Sequence, residues 1–129
     1  MMLFAAVALS AVVFASDASV AEPVEETPIA DEVVVALSPY EYLFATYPSI
    51  APRMACVIRR ESLWYPGATN QRSGAAGLAQ ILASTWATTP QAKRGESPYD
   101  PYSNIDAAAW LVTSGGGWRH WAATVGGCP

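Results

Sequence analysis

This 129-residue chain is poor in charged residues and in side chains that bind transition metals. Charged residues make up 14% of the sequence, and it contains one His and two Cys. These three side chains are too few for a zinc-ligand pattern, and we therefore expect no metal site. The formal net charge of −4 argues against the basic surface that nucleic-acid binding requires. At 52% hydrophobic, the sequence instead predicts one small folded domain.

The chain starts with an apolar run that is too short for a membrane helix. Residues 1–15 carry no charge, Asp17 interrupts the run, and a spanning helix needs about 20 apolar residues. Small residues at Ser19 and Ala21 suit signal peptidase, which predicts a signal peptide over residues 1–21. No Lys or Arg precedes the run, and a short buried helix is the alternative. Cleavage would give a secreted or extracytoplasmic protein without a stable membrane span.

The remaining sequence divides into an acidic lead and a domain. Residues 22–37 begin with EPVEETPIADE, which is acidic and contains two prolines, so they are predicted to be a flexible lead. Residues 38–129 are predicted to form the folded domain, which we expect to be a monomer. Its basic residues slightly outnumber its acids, and such a body suits an anionic polymer such as a cell wall.

The two cysteines are predicted to form a disulfide. An even pair in an exported protein is bridged by default, and joining Cys56 to Cys128 would stabilise the fold by about 4 kcal/mol in the chain-entropy model. Two free buried thiols are the alternative, favoured if the chain is not exported.

The domain is predicted to be mainly α-helical, of the α+β kind, with one short β-hairpin. Capping signals at Ser38 and Asp100 each precede a proline and predict helices that end near Pro48 and Ser114. The other expectations are a helix from residues 50–52 to 62, a hairpin within 70–82, a short helix near Ser84, a loop over 89–100 and a last turn over 118–123.

Glu61 is the candidate catalytic residue. It shares a helix face with Met54, Val57 and Ile58, where an apolar side chain would be expected. It also lies at the carboxyl end of that helix, where the helix dipole disfavours negative charge. Burial among apolar side chains and the helix dipole both favour a protonated carboxyl. A glycosidase needs such a group as its general acid. A salt bridge with Arg59 or Arg60 is the alternative.

The sequence around Glu61 resembles the lysozyme-like soluble lytic transglycosylase domain, and the related muramidase and resuscitation-promoting-factor modules. The resemblance rests on Glu61-Ser62, a proline at 66, the Gly77-Leu78-Ala79-Gln80 motif and Asn104-Ile105, in this order and spacing. It covers residues 54–121. It implies that Glu61 is the catalytic acid, that Gln80 and Asn70 line a sugar groove, and that no cofactor is required.

Two departures from the family pattern stand out. Ala79 occupies a position where the family usually has a larger side chain that would flank the sugar. The family's Ala-Tyr-Asn-Ala-Gly segment is absent and is replaced by Ser114–Trp121. These differences leave open which group positions the substrate, and they keep a non-catalytic peptidoglycan-binding or structural module as the alternative function.

The aromatic and polar residues near Glu61 supply the other candidates. Trp64 and Tyr65 follow the acid in a Pro-Gly loop and are candidate sugar platforms, whereas Trp86 and Trp110 are expected in the core. Ser62 could bond the helix end or the active site. His120 is expected to be structural, Asp100 a helix cap and Asp106 solvated. The sequence thus predicts a single-carboxylate enzyme that cuts peptidoglycan between N-acetylmuramic acid and N-acetylglucosamine, as a lytic transglycosylase or as a muramidase.

Overall fold

The structure is a computed structural model that describes residues 35–129, so the predicted signal peptide and most of the acidic lead lie outside the described residues. This part is mainly helical, as predicted. It contains α1 (Pro39–Thr46), α2 (Ala51–Ser62), α3 (Ala83–Trp86), α4 (Pro90–Lys93), α5 (Pro101–Thr113) and a 3₁₀ helix (Gly117–Trp121). Within residues 35–129, no helix is both long enough and apolar enough to cross a membrane.

Side-chain caps fix where the helices begin. The Ser38 hydroxyl accepts a hydrogen bond from the Glu41 amide, and the Glu41 carboxylate accepts one from the Ser38 amide, which confirms the predicted capping box. Asp100 caps α5 through the Ser103 amide at 2.8 Å, also as predicted. The expectation of a loop over 89–100 was wrong in part, because Thr89 caps the one-turn helix α4, which starts at Pro90.

The predicted hairpin takes a minimal form. Ala76 makes two isolated antiparallel bridges, one with Thr69 and one with Ile81. The Ala76 and Ile81 backbones exchange two hydrogen bonds of 3.1 Å. The pairing of Ala76 with Ile81 closes a tight turn, and the Gly77–Gln80 motif forms this turn.

One apolar core joins the helices. Leu43 of α1, Met54 and Ile58 of α2, and Ile105 and Leu111 of α5 are almost completely buried in one cluster. The small side chains of Ala107 and Ala108 let α5 lie close to its neighbours. On the helix α2, Met54, Val57 and Ile58 are buried as the sequence periodicity predicted, whereas Ala51 and Ser62 are buried in addition and Glu61 is only half-buried.

Asp106 is not solvated as expected, because it fastens α1 to α5. Its Oδ1 accepts hydrogen bonds from the hydroxyls of Tyr42 at 2.8 Å and Tyr47 at 2.6 Å. Burial, reinforced by the hydrogen bonds to Asp106, raises the pKa of both tyrosines above the ordinary tyrosine value. The helix period placed Asp106 opposite the apolar face, but it did not reveal that α1 supplies two hydroxyls there.

The predicted disulfide is confirmed. Cys56 in the middle of α2 is bonded to Cys128, with their Cα atoms 5.7 Å apart and 72 positions apart in sequence. The bond fastens residues 122–129, which we call the closing segment, to α2.

Candidate active site

Glu61 lies in the last turn of α2, half-buried rather than fully enclosed. The Thr124 hydroxyl donates a hydrogen bond to its Oε1. Directly after Glu61 and Ser62 the helix stops, because Leu63 adopts a left-handed conformation and donates its amide to the Arg59 carbonyl. The carboxyl is therefore held at a helix end, between apolar core and solvent.

No arginine neutralises Glu61. Arg60 directs Nη1 to the carbonyl oxygens of Thr124 at 2.8 Å and Gly126 at 2.5 Å. Within residues 35–129, the one ion pair joins Arg94 to Glu96, at 2.7 Å. The alternative of a salt bridge between Glu61 and Arg59 or Arg60 is therefore not realised.

The other four carboxylates of the described residues all have structural partners. Glu41 belongs to the cap of α1, and its hydrogen bonds from Ser38 lower its pKa. Glu96 bonds the Ser103 hydroxyl at 2.8 Å and pairs with Arg94, and these contacts lower its pKa. Asp100 caps α5, and Asp106 holds two tyrosines. Of the five side-chain carboxylates in residues 35–129, Glu61 is the one that neither caps a helix, pairs with an arginine nor joins two tyrosines.

Left-handed backbone conformations concentrate next to the two sequence motifs. Within residues 35–129, the non-glycine residues with positive φ are Leu63 at 52°, Trp64 at 61° and Gln80 at 50°. Each such residue costs roughly 1–3 kcal/mol, and strain of this kind clusters at functional sites. The strained positions follow Glu61 or end the Gly77–Gln80 motif, which supports a functional assignment for both.

Asn104 holds the Gly77–Gln80 turn on α5. It is completely buried, its Oδ1 accepts from the Ala79 amide at 2.8 Å, and its Nδ2 donates to Pro98 O at 2.9 Å. A side chain at Gly77, where φ is +78°, would overlap Asn104 and Pro98, which explains the glycine. The two motifs that carry the resemblance, Gly-Leu-x-Gln and Asn-Ile, are therefore in direct contact.

Gln80 projects from the end of this turn with its amide donor already used. Its Nε2 donates to the carbonyls of Ala68 and Gly77, both at 3.0 Å. Its Oε1 receives no hydrogen bond from the described residues, and the side chain is half-buried. A ligand at this position would therefore meet an acceptor.

Ala79 lies in the core cluster. It is 0% exposed, and its carbonyl accepts a hydrogen bond from the Trp121 indole at 2.7 Å. At this position the chain therefore has a buried alanine in place of the larger side chain that the family pattern implies. Trp121 in turn accepts the Thr124 amide at 2.8 Å, so hydrogen bonds connect the Gln80 turn to the residue that contacts Glu61.

The aromatic candidates do not divide as expected, because Trp64 packs against the core as Trp86 and Trp110 do, and only Tyr65 is exposed. Tyr65 is 64% exposed beside the acid, and Trp64 is half-buried, with its ring 5.4 Å from that of Tyr40 in an edge-on arrangement. Trp86 and Trp110 are half-buried against the core.

The remaining candidates bond mainly to the backbone. Asn70 accepts from the amides of Arg72 and Ser73 in an exposed turn. The buried Ser62 hydroxyl donates to Ile58 O at 3.1 Å. His120 contacts Gly115 O at 2.7 Å through Nε2, and this contact supports its structural assignment.

Two cavities in the described part lie away from Glu61. One, of about 300 Å³, is bordered by Arg53 and Trp118, and the other, of about 250 Å³, by Asp106 and Trp110. Within residues 35–129, no three His, Cys, Asp or Glu side chains are grouped to hold a metal ion.

Sequence reasoning did not identify Thr124, which is 63 positions after Glu61. The available signal was the predicted disulfide. Because Cys56 lies on the helix that ends with Glu61, residues shortly before Cys128 have to pass near that helix end.

Comparison with known proteins decides the family. The family model for the transglycosylase SLT domain matches residues 45–120. The chain belongs to the transglycosylase SLT domain family. The SLT match includes Glu61, the Gly77–Gln80 turn and Asn104, and it ends just before Trp121.

Relatives of this SLT domain include the "Probable transglycosylase SceD" proteins of Staphylococcus aureus. That of strain Newman is 45% identical over 67 residues, which are 50% of this chain and 29% of the relative, and that of strain USA300 matches equally. The match thus spans less than a third of the relatives' length. The crystal structure of the 70 kDa soluble lytic transglycosylase SLT70 from Escherichia coli matches with 23% identity and a TM-score of 0.48, over 60% of this chain and 14% of that one.

Proposed function

We propose that this chain is a lytic transglycosylase that cleaves the β-1,4 bond between N-acetylmuramic acid and N-acetylglucosamine in peptidoglycan, with Glu61 as acid and base. The carrying observation is that the other four carboxylates of residues 35–129 are committed to helix caps, an ion pair and a tyrosine pair. Membership of the SLT family supports the reaction class.

A single carboxyl group suffices for this reaction. Protonated Glu61 donates its proton to the glycosidic oxygen, and the bond from that oxygen to C1 of the muramic acid breaks with its electron pair on the leaving sugar. The resulting carboxylate stabilises the developing positive charge. It then accepts the proton of the muramoyl 6-hydroxyl while that oxygen bonds C1, which gives a 1,6-anhydro end and restores the acid.

The proposed groove passes the exposed Tyr65 and the half-buried Trp64 and Gln80. Tyr65 and Trp64 offer ring faces for apolar sugar faces. Gln80 offers Oε1 to a sugar hydroxyl or acetamido N–H, since its Nε2 is used. Asn70 lies in the turn that leads to this motif, and its Nδ2 is available to a ligand. Ser62 supports the helix end.

The proposed place of action is outside the cytoplasm, in association with the cell wall. A disulfide between Cys56 and Cys128 is the kind of bond that persists in oxidising compartments and is rare in reducing ones. This agrees with the signal peptide predicted from residues 1–21. Amino-terminal sequencing of the protein recovered from its host would locate the processing site expected before Glu22.

Replacing Glu61 by Gln tests the catalytic proposal, since it keeps the shape and removes the transferable proton. We expect the variant to bind purified peptidoglycan but to lose at least about 100-fold in release of soluble fragments, the scale of general acid catalysis. Glu41→Gln makes the same exchange at an exposed helix cap and should retain activity.

Mass spectrometry of the fragments released by the unmodified chain tests the transfer step. We expect 1,6-anhydro ends. Reducing ends would show a hydrolytic muramidase instead, and binding without any release would show a non-catalytic module. Full activity of Glu61→Gln would refute the assignment of the acid.

A further inference from the structure

We infer that Thr124 is a positioning residue for Glu61. The path of the closing segment, residues 122–129, places the Thr124 hydroxyl against the Glu61 carboxyl. The inference rests on the proposed function, since it assigns a role within the same site. It also addresses the absent Ala-Tyr-Asn-Ala-Gly segment, since the sequence has Ser114–Trp121 in its place and left open which group takes over a positioning role.

The closing segment is attached to α2 at three points. Cys128 is bonded to Cys56, Arg60 binds the carbonyls of Thr124 and Gly126, and Arg53 donates from Nε to Pro129 O at 2.7 Å. The anchors on α2 are residues 53, 56 and 60, at helical spacings of i, i+3 and i+7. They therefore lie along one face of α2.

The order of these contacts gives the segment its direction. Pro129 meets the start of α2, Cys128 its middle, and Thr124 its end, so the segment runs antiparallel to α2. It has little regular structure of its own, with a few backbone bonds such as Cys128 N to Val125 O at 3.0 Å. Its position consequently depends on the side chains of α2 and, at its start, on the Trp121 carbonyl, which accepts the Thr124 and Val125 amides.

The contact between Thr124 and Glu61 acts on the orientation of the carboxyl. The hydroxyl donates to Oε1, so Oε2 is the oxygen without a partner among residues 35–129, and the hydrogen bond restricts rotation of the group. Glu61 is half-buried at a helix end, where little else holds it. Misplacing a reacting group by about 1 Å can cost about 100-fold in rate, so an oriented carboxyl matters for kcat more than for binding.

Arg60 makes the arrangement compatible with an acid. Its guanidinium is adjacent in sequence to Glu61, and a direct ion pair would hold the carboxyl in its charged form. The carbonyls of Thr124 and Gly126 occupy its Nη1 instead. The closing segment thus supplies a hydroxyl to Glu61 and engages the nearby positive charge.

The kinetic test compares Thr124→Val with Thr124→Ser in the full chain. Val keeps the shape of Thr and lacks the hydroxyl, so we expect kcat for fragment release to fall about 10- to 100-fold with KM changed less than about twofold. Ser restores the hydroxyl and should return kcat to within about threefold of the original. Thr88→Val, which removes a hydroxyl bonded to Thr85 O in an exposed turn, should leave kcat unchanged.

A second measurement separates this inference from the proposed function. Urea unfolding tests the contact without turnover, in the variants Glu61→Ala, Thr124→Val and the double variant. We expect the unfolding constant of the double variant to differ by about five- to tenfold from the value that the two single effects combined would give. Non-additivity in a chain that releases no fragments would refute the proposed function and leave the contact standing. Additive unfolding effects, or equal kcat for the Val and Ser variants, would overturn the positioning role.

Discussion

Replacing Asn104 by Leu tests whether one buried amide holds the Gly77–Gln80 turn in place. Asn104 is 0% exposed and accepts from the Ala79 amide, and it donates to Pro98 O at 2.9 Å and Ala76 O at 3.3 Å. Leucine is similar in size, so the lost hydrogen bonds determine the cost rather than a cavity.

The expected loss in unfolding free energy follows from the groups left behind. Ala76 O keeps a hydrogen bond from the Ile81 amide at 3.1 Å in the variant. The two groups left without a partner are therefore the Ala79 N–H and Pro98 O. Each buried polar group without a partner costs about 1–3 kcal/mol, which gives about 4 kcal/mol for the two. Since small domains have about 5–15 kcal/mol in total, the variant should be close to unfolding.

The assay is urea unfolding followed by tryptophan fluorescence, with the disulfide intact. Asn104→Asp is a second test variant, because it preserves the shape but places an oxygen in front of the two carbonyls that now accept from Nδ2. It should be at least as destabilising as Asn104→Leu. Asn70→Leu makes the same exchange in an exposed turn, where water can replace the lost bonds, and should cost less than about 1 kcal/mol. If Asn104→Leu costs no more than Asn70→Leu, the assigned role of the amide is wrong.

Two further changes test the packing around the site and between α1 and α5. Gly77→Ala should cost at least about 3 kcal/mol, because Cβ would overlap Pro98 and Asn104, whereas Gly95→Ala has the same φ of +78° with open space and should cost about 1 kcal/mol in thermal or urea unfolding. Equal costs would show that backbone strain alone matters. Because burial and Asp106 raise the pKa of Tyr47 in the folded state, the contribution of Tyr47 to stability should be constant below pH 10 and fall above it as the unfolded chain ionises first, by about 1.4 kcal/mol per pH unit. Tyr47→Phe should show a shallower fall in urea unfolding between pH 9 and 11, and an unchanged slope would contradict the assignment.

Local signals predicted the helices well. Ser38 and Asp100 cap their helices because the capping groups, the proline and the first turn are all within a few residues of one another. The same reasoning predicted the buried face of α2. It missed α4 because a helix of four residues has no apolar period to detect, although Thr89-Pro90 carried the same start signal as the longer helices.

Contacts distant in sequence were predicted only where a covalent pairing rule applied. The disulfide followed from cysteine parity, but the Thr124–Glu61 and Tyr47–Asp106 contacts link residues 63 and 59 positions apart by single side chains. Hydrophobic periodicity predicts on which face of its own helix a residue lies. It does not predict which side chains of another segment contact that face. The helix pattern and the resemblance supplied Glu61 as a candidate, and the structure supplied its surroundings.

The bond between Cys56 and Cys128 also changes what a break in the main chain would do. Residues 71–74 form an exposed turn, where a protease would gain access to the main chain. Cutting there yields one fragment with Glu61 and another with Thr124, and the sulfur atoms keep the two fragments joined. Hydrolysis of that peptide link alone therefore leaves both parts of the site in one molecule.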